Sequence, residues 1–254
     1  MNSPGVQRLN GAVHPGRWLM PVVWLLLLML AVWAMPLVEP ALRWFSPDAR
    51  QVIYQRAAFS TLLWRHVLTV GVAAAVTVSV GIAAGIAVTR PWGRDFLPLV
   101  SQCAALGQTF PPVAVLALAV PALGFGALPI VVALVLYGLL PIVRNTLAGL
   151  QGVDAGVVSA AQGMGMTGRQ RLYRVELPLA APVILAGVRT SITINIATAA
   201  LGATVGASNL GDPIIAGIVN GNTAYIVQGA VIIALLALSV DSLFDVWQRQ
   251  LARR

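Results

Sequence analysis

Apolar residues in this chain are gathered into runs of eighteen or more, separated by short stretches that carry Arg, Pro and Gly. A run of that length crosses a hydrocarbon core of roughly 30 Å as a helix. The pattern predicts six such helices, at about 18–38, 63–89, 96–120, 127–147, 179–207 and 225–247. Residues 39–65 mix Arg43, Asp48, Arg50 and Arg56 with apolar positions and predict a loop with a short surface helix. Residues 151–176 form the longest polar stretch of the second half and predict a folded connection. The first run is longer than a signal-peptide core of about 7–15 residues and lacks a small-x-small cleavage site, so it is read as a retained span.

Composition leads to the same class. The chain is 58% hydrophobic and 9% charged, about a third of the charge of a soluble domain, which makes it an all-α, polytopic helical membrane protein. The net charge of +8 does not indicate nucleic acid, because the arginines sit at the ends of apolar runs rather than on a basic patch among base-reading side chains. They report topology instead. Alternate connections place Arg8, Arg17, Arg90, Arg94, Arg144, Arg169, Arg171, Arg174, Arg249, Arg253 and Arg254 on one side, and Arg43, Arg50, Arg56 and Arg65 on the other. That bias puts both termini in the cytoplasm.

All 16 basic residues are Arg. A phosphate-binding loop of the G-x-x-x-x-G-K-[ST] kind needs a lysine, so any nucleotide hydrolysis belongs to a partner chain. The single Cys103 leaves no internal disulfide and reads as a packing residue. His14 and His66 fall in no metal-binding pattern and read as interfacial, and no catalytic set is evident.

Helix packing and embedded polar groups supply the remaining local signals. Gly81/Gly85 and Gly202/Gly206 have the G-x-x-x-G spacing of closely approaching helices. Pro111-Pro112 interrupts the third span and frees carbonyls, as happens in helices that line transport cavities. Gln108, Thr109 and Tyr137 are candidate companions on a translocation path, Tyr137 offering a ring face to a methylated cation. Asn195 and Thr198, with Thr193, either line the path or hydrogen-bond between helices. Arg189 is expected to be structural, bonded to helix-end carbonyls, and Asp245 to pair with Arg249 four residues on, with Asp241 one turn before it.

The most specific signal starts at Ser159-Ala160-Ala161, continues to Gly165 and ends at Val175-Glu176-Leu177-Pro178. It resembles the E-A-A, three residues, G, nine residues, I-x-L-P loop of type I ABC importer permeases, with Ser159 replacing the initial Glu. Further stretches, Gln108-Thr109-Phe110-Pro111-Pro112, Leu139 to Thr146, Leu177 to Thr190 and the Leu210-Gly211-Asp212-Pro213 turn within 202–215, are similar to osmoprotectant permeases. The last of these suits an external re-entrant or gate-like loop.

The resemblance implies a MetI-like fold, with an N-terminal helix and external connection over 1–60 and the permease domain over 61–254, its coupling loop at about 151–178. It also implies an inner-membrane transport subunit for a quaternary ammonium osmoprotectant such as glycine betaine or choline. Methionine, an oxyanion or a betaine-like thiol compound are alternatives, and an ion-coupled secondary transporter is disfavoured because no carboxylate lies at mid-membrane. The implied partners are a dimer of ABC ATPases holding ATP and Mg, a second permease copy or paralogue, a periplasmic or lipid-anchored binding protein, and membrane lipid. No cofactor is assigned to this chain itself. ATPase contact is expected from Ser159, Ala160, Ala161, Gly163, Met164, Gly165, Met166 and Thr167. In that reading Ala160, Ala161, Gly163 and Gly165 allow close backbone approach, and the methionines offer an adaptable apolar surface.

Overall fold

A computed structural model describes residues 18–251; His14 and the arginines at 8, 17, 253 and 254 lie outside them. The described residues form eleven α-helices with short 3₁₀ and π segments between them and no strand. The chain opens with α1 (Leu19–Trp33), which stops short of the expected end at residue 38. Pro36 and Pro40 stand in the first turns of a 3₁₀ segment (Met35–Val38) and of α2 (Glu39–Phe45). Neither ring can donate to a continuing ladder, and the path bends by 80°.

Helix α3 (Phe59–Thr89) starts four residues before the expected point, because Phe59 and Leu62 are buried and extend its inward face past the polar Ser60 and Thr61. The third apolar run does not form one interrupted rod. It is split into α4 (Leu97–Thr109) and α5 (Pro112–Leu123), with 97° between the two limbs. Phe110 and Pro111 each precede a proline, which disfavours the helical region for both, and both are extended, at ψ 138° and 137°.

Helix α6 (Ala127–Gln151) is the hub. Half of its most apolar window is buried, against 28–39% for the other long helices. Glycines bring its neighbours into contact: a Cβ on Gly81 would lie 2.8 Å from Ile142 Cγ2, and one on Gly85 2.6 Å from Thr146 Cγ2. The Gly81/Gly85 pair is thus a helix-packing motif as expected. Gly202/Gly206 is not: Gly202 lies in a 3₁₀ segment, and Gly206 is a left-handed turn residue at φ +79°.

After the connection at 152–176, α9 runs from Leu177 to Thr198 and tightens into a 3₁₀ segment (Ala199–Val205), so the fifth helix ends earlier than expected. The stretch anticipated as a gate-like loop, 202–215, runs into the first turn of α10 (Asp212–Asn220), which is too short to span a membrane and folds against the long α11 (Thr223–Leu251). Close packing of the pair rests on Gly217, whose added Cβ would meet Ile226 Cγ1 at 2.6 Å. Helix α1 lies along α11, and Leu28, Val32 and Met35 join Ile232, Ile233 and Leu236 in the main core.

The two ends of the bundle differ. At one, Arg90 after α3 meets Glu176 before α9. At the other, the 46–58 segment is stitched to α11: Gln228, 1% exposed, accepts from the Tyr54 N–H (3.1 Å) and donates to the Val52 carbonyl (2.6 Å), while Asn222 donates to the Gln51 carbonyl (2.8 Å). Two single residues depart from expectation. Cys103 is exposed on α4 rather than packed. His66 is wholly buried rather than interfacial, with Nε2 2.9 Å from the Ile196 carbonyl of α9.

Leucine at Gly85 is expected to force α3 from α6 and destabilise the detergent-solubilised protein by about 2 kcal/mol, read as a lower thermal midpoint. Leucine at Gly71, where an added Cβ meets open space, is the control that leaves the midpoint unchanged. A Gly85→Leu protein melting like its parent would refute the close approach.

Candidate docking loop and membrane-embedded polar residues

The connection between α6 and α9 is built by three local devices. Asp154 caps α7 (Ala155–Gly163), its Oδ1 accepting from the Gly156 and Val157 N–H groups at 2.8 and 3.1 Å. The helix ends in a Schellman turn: the Gly165 N–H donates to the Gln162 carbonyl (2.9 Å) and the Met166 N–H to the Ala161 carbonyl (3.2 Å). Thr167 and Gln170 then form a reciprocal capping box that opens the short α8 (Gly168–Arg171).

Gly165 is left-handed, at φ +78°. A Cβ there is strained by about 1 kcal/mol, so this glycine is needed to turn the chain and not only to leave room for a partner. Ala161 also departs from expectation: at 1% exposure it faces back into the protein and offers nothing outward. Ser159, Ala160, Gly163, Met164, Gly165 and Thr167 are exposed, and Met166 is half-buried. Val157, Ala160 and Met164, three and four residues apart, fall on one outward stripe of the helix. Met164 is 70% exposed.

The loop is held to the bundle by Glu176, the variable position of the motif. Its carboxylate accepts from Arg90 Nη2 at 2.6 Å and from Arg171 Nε at 2.7 Å, and its side chain is 7% exposed. One buried acid therefore joins the end of α3, the loop and the start of α9. In the sequence Glu176 stands only as part of the motif, with no role of its own, and the Asp154 cap is not marked. An Asp shortly before Val157-Val158 is a recognisable cap signal, whereas nothing local announces which arginines Glu176 meets.

The candidate path residues fall into three groups. Gln108 Nε2 donates to the Tyr137 carbonyl at 2.8 Å, and the Tyr137 hydroxyl donates to the Phe110 carbonyl. These bonds brace the α4–α5 break, with Pro111 exposed and Pro112 half-buried beside it. Tyr137 is 8% exposed, so its ring is not the open platform expected for a cation. Thr109 donates back to the Ala105 carbonyl at 3.1 Å.

Asn195 is fully buried and donates to the Leu134 carbonyl of α6 at 3.1 Å. It meets Thr77 and Ser191 around Gly138, which favours the interhelical role for this residue. Thr198 is only half-buried and donates to the Ile194 carbonyl at 2.9 Å. Thr190 and Thr204 are exposed and bond back in the same way.

Arg189 is structural, as expected, but its partners are carboxylates and not carbonyls. Its Nε and Nη2 donate to the two oxygens of Asp241, each at 2.6 Å, and Nη1 donates to Asp245 at 3.0 Å. Asp245 also pairs with Arg249 at 2.8 Å. The bidentate fork locks α9 to α11.

Comparison with known proteins gives this arrangement a setting. The family model described as "Binding-protein-dependent transport system inner membrane component" matches residues 78–254. The osmoprotectant import permease protein OsmY of Salmonella typhimurium is 42% identical over 234 residues, 91% of this chain and 93% of that protein. The choline transport system permease protein OpuBB of Bacillus subtilis is 37% identical over 188 residues, 74% of this chain and 86% of its own length. Among solved structures, a chain of the methionine ABC transporter MetNI in an inward-facing conformation superposes with a TM-score of 0.67 at 21% identity, over 76% of this chain and 95% of that one. This last likeness is one of fold.

Glu176→Gln is expected to leave Arg90 and Arg171 without their counter-charge and to cost about 3 kcal/mol. Amide hydrogen exchange across 152–176 should then accelerate, while the α6–α9 contact region keeps its protection. Unchanged exchange in the loop would show that the two ion pairs do not hold it.

Proposed function

Since the chain belongs to the binding-protein-dependent transport system inner membrane components, as a permease of the ABC-importer class in the osmoprotectant branch, we propose that it carries quaternary ammonium solutes such as glycine betaine or choline inward across the bacterial inner membrane. The substrate class rests on the relatives, whose names specify osmoprotectants, choline, and glycine betaine with carnitine and choline. The observation that carries the transport mechanism is the outward stripe of α7, a small apolar surface presented on a loop rigidified by its own caps and by Glu176.

In this reading α7 sits in a groove of a separate ATPase dimer, which holds ATP and Mg. Val157, Ala160 and Met164 make the contact, with Ser159, Gly163 and Thr167 at its rim and Gly165 shaping the turn. A helix laid into an apolar groove gains from the flexible, polarisable Met side chain. Closure of the ATPase pulls on α7, and Glu176 conveys the displacement to α3 and α9 together. The chain makes and breaks no covalent bond.

A second permease copy or a paralogue covers the outer face of α9 and its 3₁₀ continuation, where the exposed Thr190 and Thr204 and the half-buried Thr198 place polar groups that lipid alone would leave poorly solvated. The path runs along that face and past the α4–α5 break, with Gln108 and Tyr137 supporting the broken segment rather than touching solute. Arg90, Arg94, Arg169, Arg171, Arg174 and Arg249 belong to the loop end, which makes that end cytoplasmic. The opposite end, with the 46–58 segment and the α10–α11 turn, receives a binding protein.

Met164→Glu in the reconstituted transporter should reduce ATP-driven uptake of labelled glycine betaine by about tenfold or more, because a charge at the centre of an apolar contact is left desolvated and unpaired. Its thermal midpoint should stay at the parent value, since the side chain is 70% exposed in the isolated chain. ATP-dependent uptake at the parent rate in that variant would remove α7 from the coupling role. Uptake by the parent that does not need ATP would refute the functional reading.

A further inference from the structure

At the end of the bundle opposite the docking loop, a pocket of about 320 Å³ opens between the 46–58 segment, the 3₁₀ continuation of α9 and α10. That volume lies at the lower bound of small-molecule sites, which run from roughly 300 to 1,000 Å³. Its walls carry one anion and one cation, Asp212 and Arg56, with Tyr54, Ile215 and Val219 between them. Among the described residues these two charges form no ion pair, with each other or with any other group. Of the other described acids, Glu39, Glu176, Asp241 and Asp245 each contact an arginine, whereas Asp48, Asp95 and Asp154, like Asp212, do not.

The carboxylate of Asp212 is held in place. Oδ2 accepts from the Ser208 hydroxyl at 2.8 Å and Oδ1 from the Asn209 N–H at 3.3 Å. A quaternary ammonium has no N–H to donate, so it needs a nearby negative charge and apolar or aromatic surface rather than free lone pairs. Tyr54, 6% exposed, backs the pocket as a packed residue and presents no open ring face, so the apolar contact falls to the aliphatic side chains. Its ring is fixed by an edge contact with Tyr225, centroids 5.5 Å apart, and a tilted one with Phe59 at 6.2 Å, and its backbone is pinned by Gln228. Ile215 and Val219 offer methyl-sized apolar contact. Arg56 is exposed on the rim, free to turn its guanidinium toward a carboxylate.

We propose that this pocket is a solute site of the permease itself, receiving zwitterionic betaines with the trimethylammonium beside Asp212 and the carboxylate at Arg56. The proposal rests on the osmoprotectant reading above and deepens it. Choline fills the same pocket with its cationic end but brings no carboxylate to Arg56, so the site prefers betaines over choline. Ala203 of the pocket wall lies on the segment that prolongs α9, whose Thr198 and Thr204 belong to the proposed path, so the site is placed at its entrance.

The test uses the full chain in lipid nanodiscs, titrated with glycine betaine and with choline, and the same variants in the reconstituted transporter. Arg56→Gln, at an exposed position, should lower betaine affinity about two- to fivefold more than choline affinity, the worth of one partly screened ion pair. Asp212→Asn, which keeps an acceptor for Ser208 or Asn209, should weaken both solutes. Equal effects of Arg56→Gln on the two solutes, or parent-like binding by Asp212→Asn, would overturn the site. Absence of binding to the parent nanodisc alongside intact betaine uptake would overturn the pocket and leave the transport reading standing. Arg56- and Asp212-dependent binding without uptake would support the pocket and refute transport of these solutes.

Discussion

Close approach of three helices to α6 is the constraint on which the rest of the structure depends. Lipid is as apolar as a leucine side chain, so helices in a bilayer are held by contact and hydrogen bonding rather than by escape from water. Gly81 and Gly85 of α3, Gly107 of α4 and Gly187 of α9 each present bare backbone to α6, where an added Cβ would collide with Ile142, Thr146, Leu136, and Asn145 or Pro141. With those contacts made, Asn195 reaches the Leu134 carbonyl, and Gln108 and Tyr137 reach the broken turn at Phe110. The hub therefore also provides the polar partners that irregular backbone needs at membrane depth.

Charge is used sparingly, and mostly to join elements distant in sequence. Glu176 ties α3 to the docking loop, and Arg189 ties α9 to the end of α11. Both are arginine–carboxylate contacts in half-buried surroundings, where geometry is restrictive and screening incomplete. Together they give a displacement of α7 a stiff route into three transmembrane helices. Asp212 and Arg56 are not joined in this way: they line one pocket without forming an ion pair.

Much of the chain was legible from sequence because the deciding forces were local. The long helices follow from the length of their apolar runs, and α4 and α5 follow from Pro111-Pro112, although the 97° turn exceeds the interruption the prolines imply. The Ala160 to Gly165 motif marked the connection between α6 and α9, where α7 forms. Its roles were less legible: Gly165 turned out to be demanded by a left-handed turn, and Ala161 by packing against the protein. Helix α10 escaped the hydropathy pattern because nine residues are too few to register as a span, and its burial comes from Gly217 against α11.

By itself, then, the sequence determined the class and the position of the loop between α6 and α9, because membrane insertion and capping act on neighbouring residues; four of the described helices are long and apolar enough to cross, and six only if each bent pair is one span. Tertiary structure alone decided that Arg189 meets Asp241 rather than helix-end carbonyls, that Glu176 gathers Arg90 and Arg171, that Tyr137 is a brace, and that Asp212 shares a pocket with Arg56. The physical reason is range. Those partners are separated by 52, 86, 27 and 156 positions along the chain, apart from the local Arg171 contact, and only tertiary packing brings them within reach: α3, α4 and α9 on α6, α11 on α9, and α10 beside the 46–58 segment.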